Sequence, residues 1–315
     1  MFTYALKRLL LWIPSVLLVL LAVYALAFYG AGDPIKLIFL REPGGVAFDP
    51  NRLAAIREAA GIDRPFFEQF GDYVWRVLHF DFGNSLTSGR SVARTIAAAA
   101  PVSIQLGLLA IVLTAVIAIP LGVIAALNQN RAIDYVILGS ALFFYAIPAY
   151  VAGPILMVLL ILVLPGGTVP YGWGGLFDVR VILPLIVLSM HPIALIVRQT
   201  RSAVIEVLSE DFVRTARAKG LPAGKIVTRH ILRPILTPVL TQLGLIMITL
   251  VNGAVFVELV FGLPGLGRLA IQSLLSSDYP VILAVTLIAS ALVMVSNLVI
   301  DLAYPLLDPR AAERK

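Results

Sequence analysis

Cysteine is absent from the 315 residues, and histidine occurs three times, at His79, His191 and His230. Disulfides are thereby excluded, and three histidines so far apart do not make a Cys/His metal site. Charge is also scarce: Asp, Glu, Lys and Arg make up 13% of the chain, against 60% apolar residues and a mean hydropathy of +0.96. Soluble domains carry about 25% charged residues, so the chain reads as an all-α integral membrane protein. The net charge of +6 does not point to nucleic acid, because the basic residues flank apolar runs and form no aromatic-interleaved surface. Enzyme motifs are missing too. No G-x-S-x-G, H-E-x-x-H or paired-carboxylate pattern stands in a fitting context. The stretch nearest to a phosphate loop, Gly220 to Ile226, has one residue too few between Gly220 and Gly224 and no Ser/Thr after Lys225. Neither a metal nor a nucleotide cofactor is expected on this chain, and it is not expected to be an enzyme.

What is present is a series of long apolar runs. Leu9 to Tyr29 lacks any charge and is long enough to cross about 30 Å of hydrocarbon, so residues 1–29 read as an N-terminal anchor helix. Ala25-Leu26-Ala27 resembles a signal cleavage site, but the run is longer than the apolar part of a signal peptide. Residues 30–100 mix eight basic and eight acidic residues with aromatics and read as a segment on the outer face. Within it Asn51–Ala60 has helical character, Phe66–Val77 carries an aromatic stripe expected to form a small core, and Asp81–Val92 is turn-rich. Further spans are expected over 101–127, 135–164 with bends near Pro148 and Pro154, 181–197, 235–261 and 281–304, giving six in a transmembrane core of 101–305. Residues 306–315 form a tail.

Six spans place both ends on one side, and charge selects which. Leaving out the long first outer segment, 14 basic residues fall on the side of the termini and two, Arg180 and Arg268, on the other. That asymmetry sets both termini in the cytoplasm.

The polar interruption at 198–234 then lies inside the cell. Its first half reads as a short helix with Ser209 as N-cap, Glu210 and Asp211 in the first turn, Arg217 and Lys219 near the end and Gly220 as the stop. Pro222 opens a second helical pattern with Ile226, Val227 and Ile231 expected on one face. Ion-coupled carriers keep ionisable groups near mid-bilayer. Here Glu258 and Asp301 are expected near helix ends, leaving Gln105, His191, Gln242 and Asn252 as the polar residues for a pathway. A chain without its own energy source needs an external one, and the basic cytoplasmic loop is the natural handle. An ion-coupled secondary transporter and a membrane scaffold stay open as the other readings.

At this loop the chain resembles the permeases of bacterial ABC importers. Glu210-Asp211-Phe212-Val213-Arg214-Thr215-Ala216-Arg217-Ala218-Lys219-Gly220-Leu221 is similar to the ATPase-docking loop of the dipeptide/oligopeptide/nickel family, first (B-type) subunit. The opening KRLLLWIP, the outer DFGNSLTSGR, IPLGVIAAL, FGLPGLG, DYPV and the closing NLVIDLAYPLLDPR resemble it in the same order. An acidic residue of the general importer loop is replaced here, in line with the peptide branch. The resemblance implies a type I importer permease fold and half of a translocation channel for di- or oligopeptides in the bacterial inner membrane. It also implies a second homologous permease, two cytoplasmic ATPases carrying ATP and magnesium, and an extracytoplasmic substrate-binding protein. Nickel chelates, glutathione and oligosaccharides are cargoes of related systems.

Overall fold

In this computed structural model residues 2–26, 29, 64–163 and 169–307 are described, with side chains over 12–26, 29, 64–163, 169–247, 250 and 254–299. Among them there is no strand, only an isolated bridge between Asn84 and Ser91. The helices are α1 (Phe2–Ala25), α2 (Phe66–Leu78), α3 (Val92–Leu127), α4 (Ala132–Ala146), α5 (Ala149–Val163), α6 (Ile182–Leu208), α7 (Asp211–Ala218), α8 (Ala223–Ile226), α9 (Leu232–Gly253), α10 (Val255–Phe261), α11 (Leu266–Ser276) and α12 (Tyr279–Leu307). The helical stretch expected at Asn51–Ala60 lies outside the described residues.

Several helices outrun the apolar runs that predict them. α3 begins at Val92, nine residues before Pro101, and α6 continues to Leu208 instead of ending near Val197. Hydropathy marks where hydrocarbon ends, whereas a helix continues into polar surroundings wherever its backbone bonds are kept. The third run is two helices, α4 and α5, bent by 100°. The break is at Ile147-Pro148: a residue before proline is pushed out of the helical region, and Pro148 then restarts the ladder by accepting from the amides of Val151 and Ala152 at 2.9 Å. Pro154 lies inside α5 and does not end it.

Two compact units are distinguished, one formed by residues 102–267 and 292–315, the other by residues 2–101 and 268–291. The first has a core of Leu106, Ala110 and Ala118 from α3, Val187 and Ile196 from α6, Val239, Leu243 and Ile246 from α9, and Phe261 from α10. Small residues set the close approaches. At Gly122 of α3 a methyl group would lie 2.8 Å from the Val197 carbonyl oxygen of α6, so only glycine lets these two helices meet at this separation.

A second cluster of this unit joins Val123 and Ala126 of α3, Ala203 and Val204 of α6, and Val213 and Ala216 of α7 to Ile226, Ile231 and Ile235. Ile226 and Ile231 are five residues apart, a spacing that an α-helix would turn to different faces. Val227–Ile231 is wound as a π turn, and both side chains are buried.

In the other unit, α2 packs its aromatic stripe on α1. Tyr24 lies 5.7, 5.6 and 5.5 Å from the rings of Phe66, Phe70 and Tyr73, and Leu20, Tyr73 and Leu283 are buried together. Phe66, Phe70, Tyr73 and Val77 of the stripe thus pack as the periodicity predicts, whereas Phe67, expected among them, is 77% exposed. The turn-rich loop is tied to the start of α12: the buried Asp278 carboxylate accepts from the Ser85 and Thr87 hydroxyls and from the Leu86 amide at 3.0 Å.

Candidate functional site

α7 is held at both ends by backbone geometry. Its N-cap is Glu210 in an extended conformation, without a side-chain cap, while Ser209, expected as the cap, instead ends α6 with its hydroxyl donating to the Glu206 carbonyl at 2.6 Å. The reason is that α6 runs up to Leu208 and leaves only two residues for the turn. At the other end Gly220 takes φ +73°, its amide donates to the Arg217 carbonyl at 2.9 Å, and the Leu221 amide donates to the Ala216 carbonyl at 3.3 Å. This pair of bonds around a left-handed glycine is a Schellman stop. A methyl at Gly220 would meet nothing within 4 Å, so the requirement is conformational alone. Gly220→Val is expected to lower stability by on the order of 1–2 kcal/mol through left-handed strain at a β-branched residue. Thermal unfolding of the purified protein checks this, with an unchanged midpoint counting against it.

The eight residues divide cleanly between two faces. Val213 and Ala216 are buried against the chain's own core, which fastens the helix. Ala216, grouped by sequence with the docking residues, is therefore an inward contact. Asp211, Phe212, Arg214, Thr215, Arg217, Ala218, Lys219 and Gly220 are exposed, as is Glu210. Arg214 and Asp211 are 3.4 Å apart at high exposure, a pair that contributes little to stability. The surface offered is an aromatic ring among cations.

In the same unit is an ion pair that the sequence does not disclose. Asp134, in the first turn of α4 and 1% exposed, is gripped by Arg201 of α6 through two bonds of 2.7 Å, from Nε and an Nη, and accepts from the Asn130 amide at 3.0 Å. The fork of the guanidinium matches both carboxylate oxygens. The turn after α3 is thereby locked to the polar end of α6.

Gln105, His191 and Gln242 are half-buried on α3, α6 and α9, no described hydrogen bond joins them, and His191 has its ring 5.0 Å from Tyr145. The Asn252 side chain lies outside the described residues. The residue missed is Glu258. Expected near a helix end, it is 1% exposed, because Ala254 interrupts the long run and α10 begins a new helix around it. Its carboxylate accepts from the Ser103 hydroxyl of α3 at 2.6 Å, and that oxygen accepts from the Leu266 amide at 2.8 Å. The loop Phe261–Gly267 folds over it. Gly262 has φ +67°, the Leu263 amide donates to the Glu258 carbonyl at 2.9 Å, and a methyl on Gly265 would overlap the carboxylate. Glu258 and Asp134 are thus two buried carboxylates whose burial the sequence does not disclose.

Four described helices are long and apolar enough to cross a membrane, or up to six if each bent pair counts as one span; the six include the pair α10–α11, which is not one of the expected spans, while Trp12–Ala25 of the expected anchor counts only as a shorter apolar helix. The architecture is that of a multi-pass helical membrane protein with one amphipathic helix presented outside its core. Residues 118–313 match the family model of the binding-protein-dependent transport system inner membrane component. The chain is 36% identical over 314 residues to the oligopeptide transport system permease protein OppB of Salmonella typhimurium, covering 98% of this chain and 99% of that one. It is 33% identical over 343 residues to the dipeptide transport system permease protein DppB of Escherichia coli K12, covering both chains fully. In fold it is similar to a chain of the inward-facing MetNI methionine ABC transporter, with a TM-score of 0.57, 17% identity and coverage of 68% of this chain and 96% of that one. The chain belongs to the family of binding-protein-dependent transport system inner membrane components.

Proposed function

We propose that the chain is one of two permease subunits of an ATP-driven importer of di- or oligopeptides, with α7 as the helix that an ATPase grips. The observation that carries this is the two-faced α7: Val213 and Ala216 fix it to the core, while Phe212, Arg214, Arg217 and Lys219 are left outside. A rigidly mounted amphipathic helix suits a groove on a partner, and its attachment to α3 and α6 through one apolar cluster carries partner movement into the spans. The permease relatives bearing peptide-transport names support the cargo class. In this reading ATP and magnesium are carried by the partner ATPases, and the substrate arrives from an extracytoplasmic binding protein. Both termini and α7 are cytoplasmic in this reading, and the second permease is a homologue of this chain.

The test uses Arg217→Glu at equal membrane abundance. Loss of ATPase co-purification that worsens with salt, together with loss of ATP-dependent peptide uptake, is the expected result, because one charge on the gripped face is reversed. Wild-type values for both would remove α7 from the docking role. Because the chain has no cysteine, Ser88→Cys and Ser209→Cys mark the two sides directly, and only the first is expected to react with an impermeant thiol reagent in whole cells. The buried Glu258 is the one feature that favours an ion-coupled carrier. Uptake that follows a proton gradient with ATP depleted would establish that reading instead.

A further inference from the structure

The outer helix α2 has more apolar surface than its contact with α1 uses. At about 100° per residue its thirteen positions sort into three stripes. Phe66, Phe70, Tyr73 and Val77 form the stripe packed on α1. Glu68, Gln69, Asp72 and Arg76 form a polar stripe, with Asp72 paired to Arg64 at 3.1 Å where both side chains are largely exposed. Between them on the remaining side lie Phe67, Gly71, Val74, Trp75 and Leu78. This third stripe is not a covered core: Phe67 is 77% exposed, Trp75 66% and Leu78 67%, and a methyl at Gly71 would meet nothing within 4 Å. A helix in water with one packed face shows polar residues over the rest, and α2 does so on one flank only.

We propose that α2 lies in the membrane–water interface, with Phe67, Trp75 and Leu78 set into lipid and Glu68, Asp72 and Arg76 directed to water. The lipid is chosen over a protein partner because the free stripe continues the apolar surface of α1. On α1, Leu18 is 68% exposed, and beyond its end Leu26 is 70% and Tyr29 72% exposed. Tyr29 stacks on Phe66 at 5.5 Å and Phe66 meets Phe67 edge-on at 5.2 Å, so an aromatic run leads from the outer end of the anchor helix to the free stripe of α2. Phe80, 81% exposed and held at φ 58° just past the helix, extends it. Aromatic residues concentrate at this depth of a bilayer, and a helix with apolar and charged flanks side by side is stable in the plane of the interface. The outer segment is then not a free domain but is moored to the bilayer where it meets α1. This rests on the membrane-spanning reading of the chain.

The absence of cysteine permits a direct test. Single-cysteine variants Phe67→Cys, Asp72→Cys, Leu78→Cys and, as a control on a span, Val112→Cys are nitroxide-labelled in the full-length protein and reconstituted in phosphatidylethanolamine–phosphatidylglycerol vesicles. Collision with oxygen reports lipid, and collision with a nickel chelate reports water. Positions 67 and 78 are expected to show an oxygen-to-nickel ratio several-fold above that of position 72 and approaching that of 112. Nickel accessibility at 67 and 78 equal to that at 72 would overturn the proposal, and so would shielding from both reagents, which would mean a protein segment covers the stripe. A control position 112 accessible to nickel would instead bring down the membrane-spanning reading and this proposal with it, so the two failures are distinguishable.

Discussion

Arg201→Ala is expected to lower the stability of the purified protein by about 3 kcal/mol, the low end of what removing one partner of a buried ion pair costs. The size follows from what is left behind. Asp134 is 1% exposed and keeps only the Asn130 amide at 3.0 Å once both guanidinium bonds of 2.7 Å are gone. The low end applies because the Arg201 side chain is 20% exposed, so water reaches the vacated space. Arg201→Lys retains the charge but not the fork and is expected to fall between wild type and alanine. The exchange Asp134→Arg with Arg201→Asp is expected to recover part of the loss that either reversal causes alone. Thermal unfolding in detergent measures all five variants, and an Arg201→Ala midpoint equal to wild type would show that the pair contributes nothing.

The second large effect is expected at Gly265, where alanine should destabilise by roughly 1–3 kcal/mol, as overpacking does. The overlapping atoms belong to the Glu258 carboxylate, which cannot swing aside while it accepts from Ser103 at 2.6 Å. Either that bond or the loop must give. Two controls separate this from a generic effect of losing glycine. Gly71→Ala, in open space within α2, is expected to be neutral or to stabilise by up to about 1 kcal/mol, since alanine is the better helix former. In a Glu258→Ala background, Gly265→Ala should lose most of its penalty, because the obstructing group is gone. Undiminished destabilisation in that background would place the strain elsewhere.

The parts of this molecule legible in the sequence are those whose signals are local. Asp211 at the start of α7 and Gly220 just past its C-cap are adjacent in sequence to the ends they mark, and both ends are legible to within a residue or two. The same holds for the aromatic stripe of α2, whose partners in α1 are found by any apolar neighbour of the right length. Ser209 misled because a cap is meaningful only relative to where the preceding helix ends, and α6 extends beyond its apolar run. The two buried carboxylates were not legible for a related reason. Asp134 and Arg201 are 67 positions apart, and Ser103 and Glu258 are 155 apart, so no spacing pattern links them. Glu258 is expected near an end because Ile235 to Phe261 reads as one apolar run. The break at Ala254 that makes it the middle of a separate helix carries neither proline nor glycine as its own residue. The motif FGLPGLG is visible as a string, yet its role is apparent only where two of its glycines, Gly265 and Gly267, lie against that carboxylate.

The π turn at Val227–Ile231 bears on how chains of this kind can change in length. A π turn holds one residue more per hydrogen-bonded ring than an α turn, so this segment already accommodates an extra residue without parting Ile226 from Ile231. Deleting one residue inside an ordinary helix rotates everything after it by about 100°, which would swing Ile235 and Val239 out of the core. Deletion within 227–231 can instead be absorbed by rewinding the wide turn to a normal one while α9 keeps its face. Single-residue gaps between related chains should therefore fall at this turn, and an alignment that forces one into α9 would misassign the register of every residue downstream.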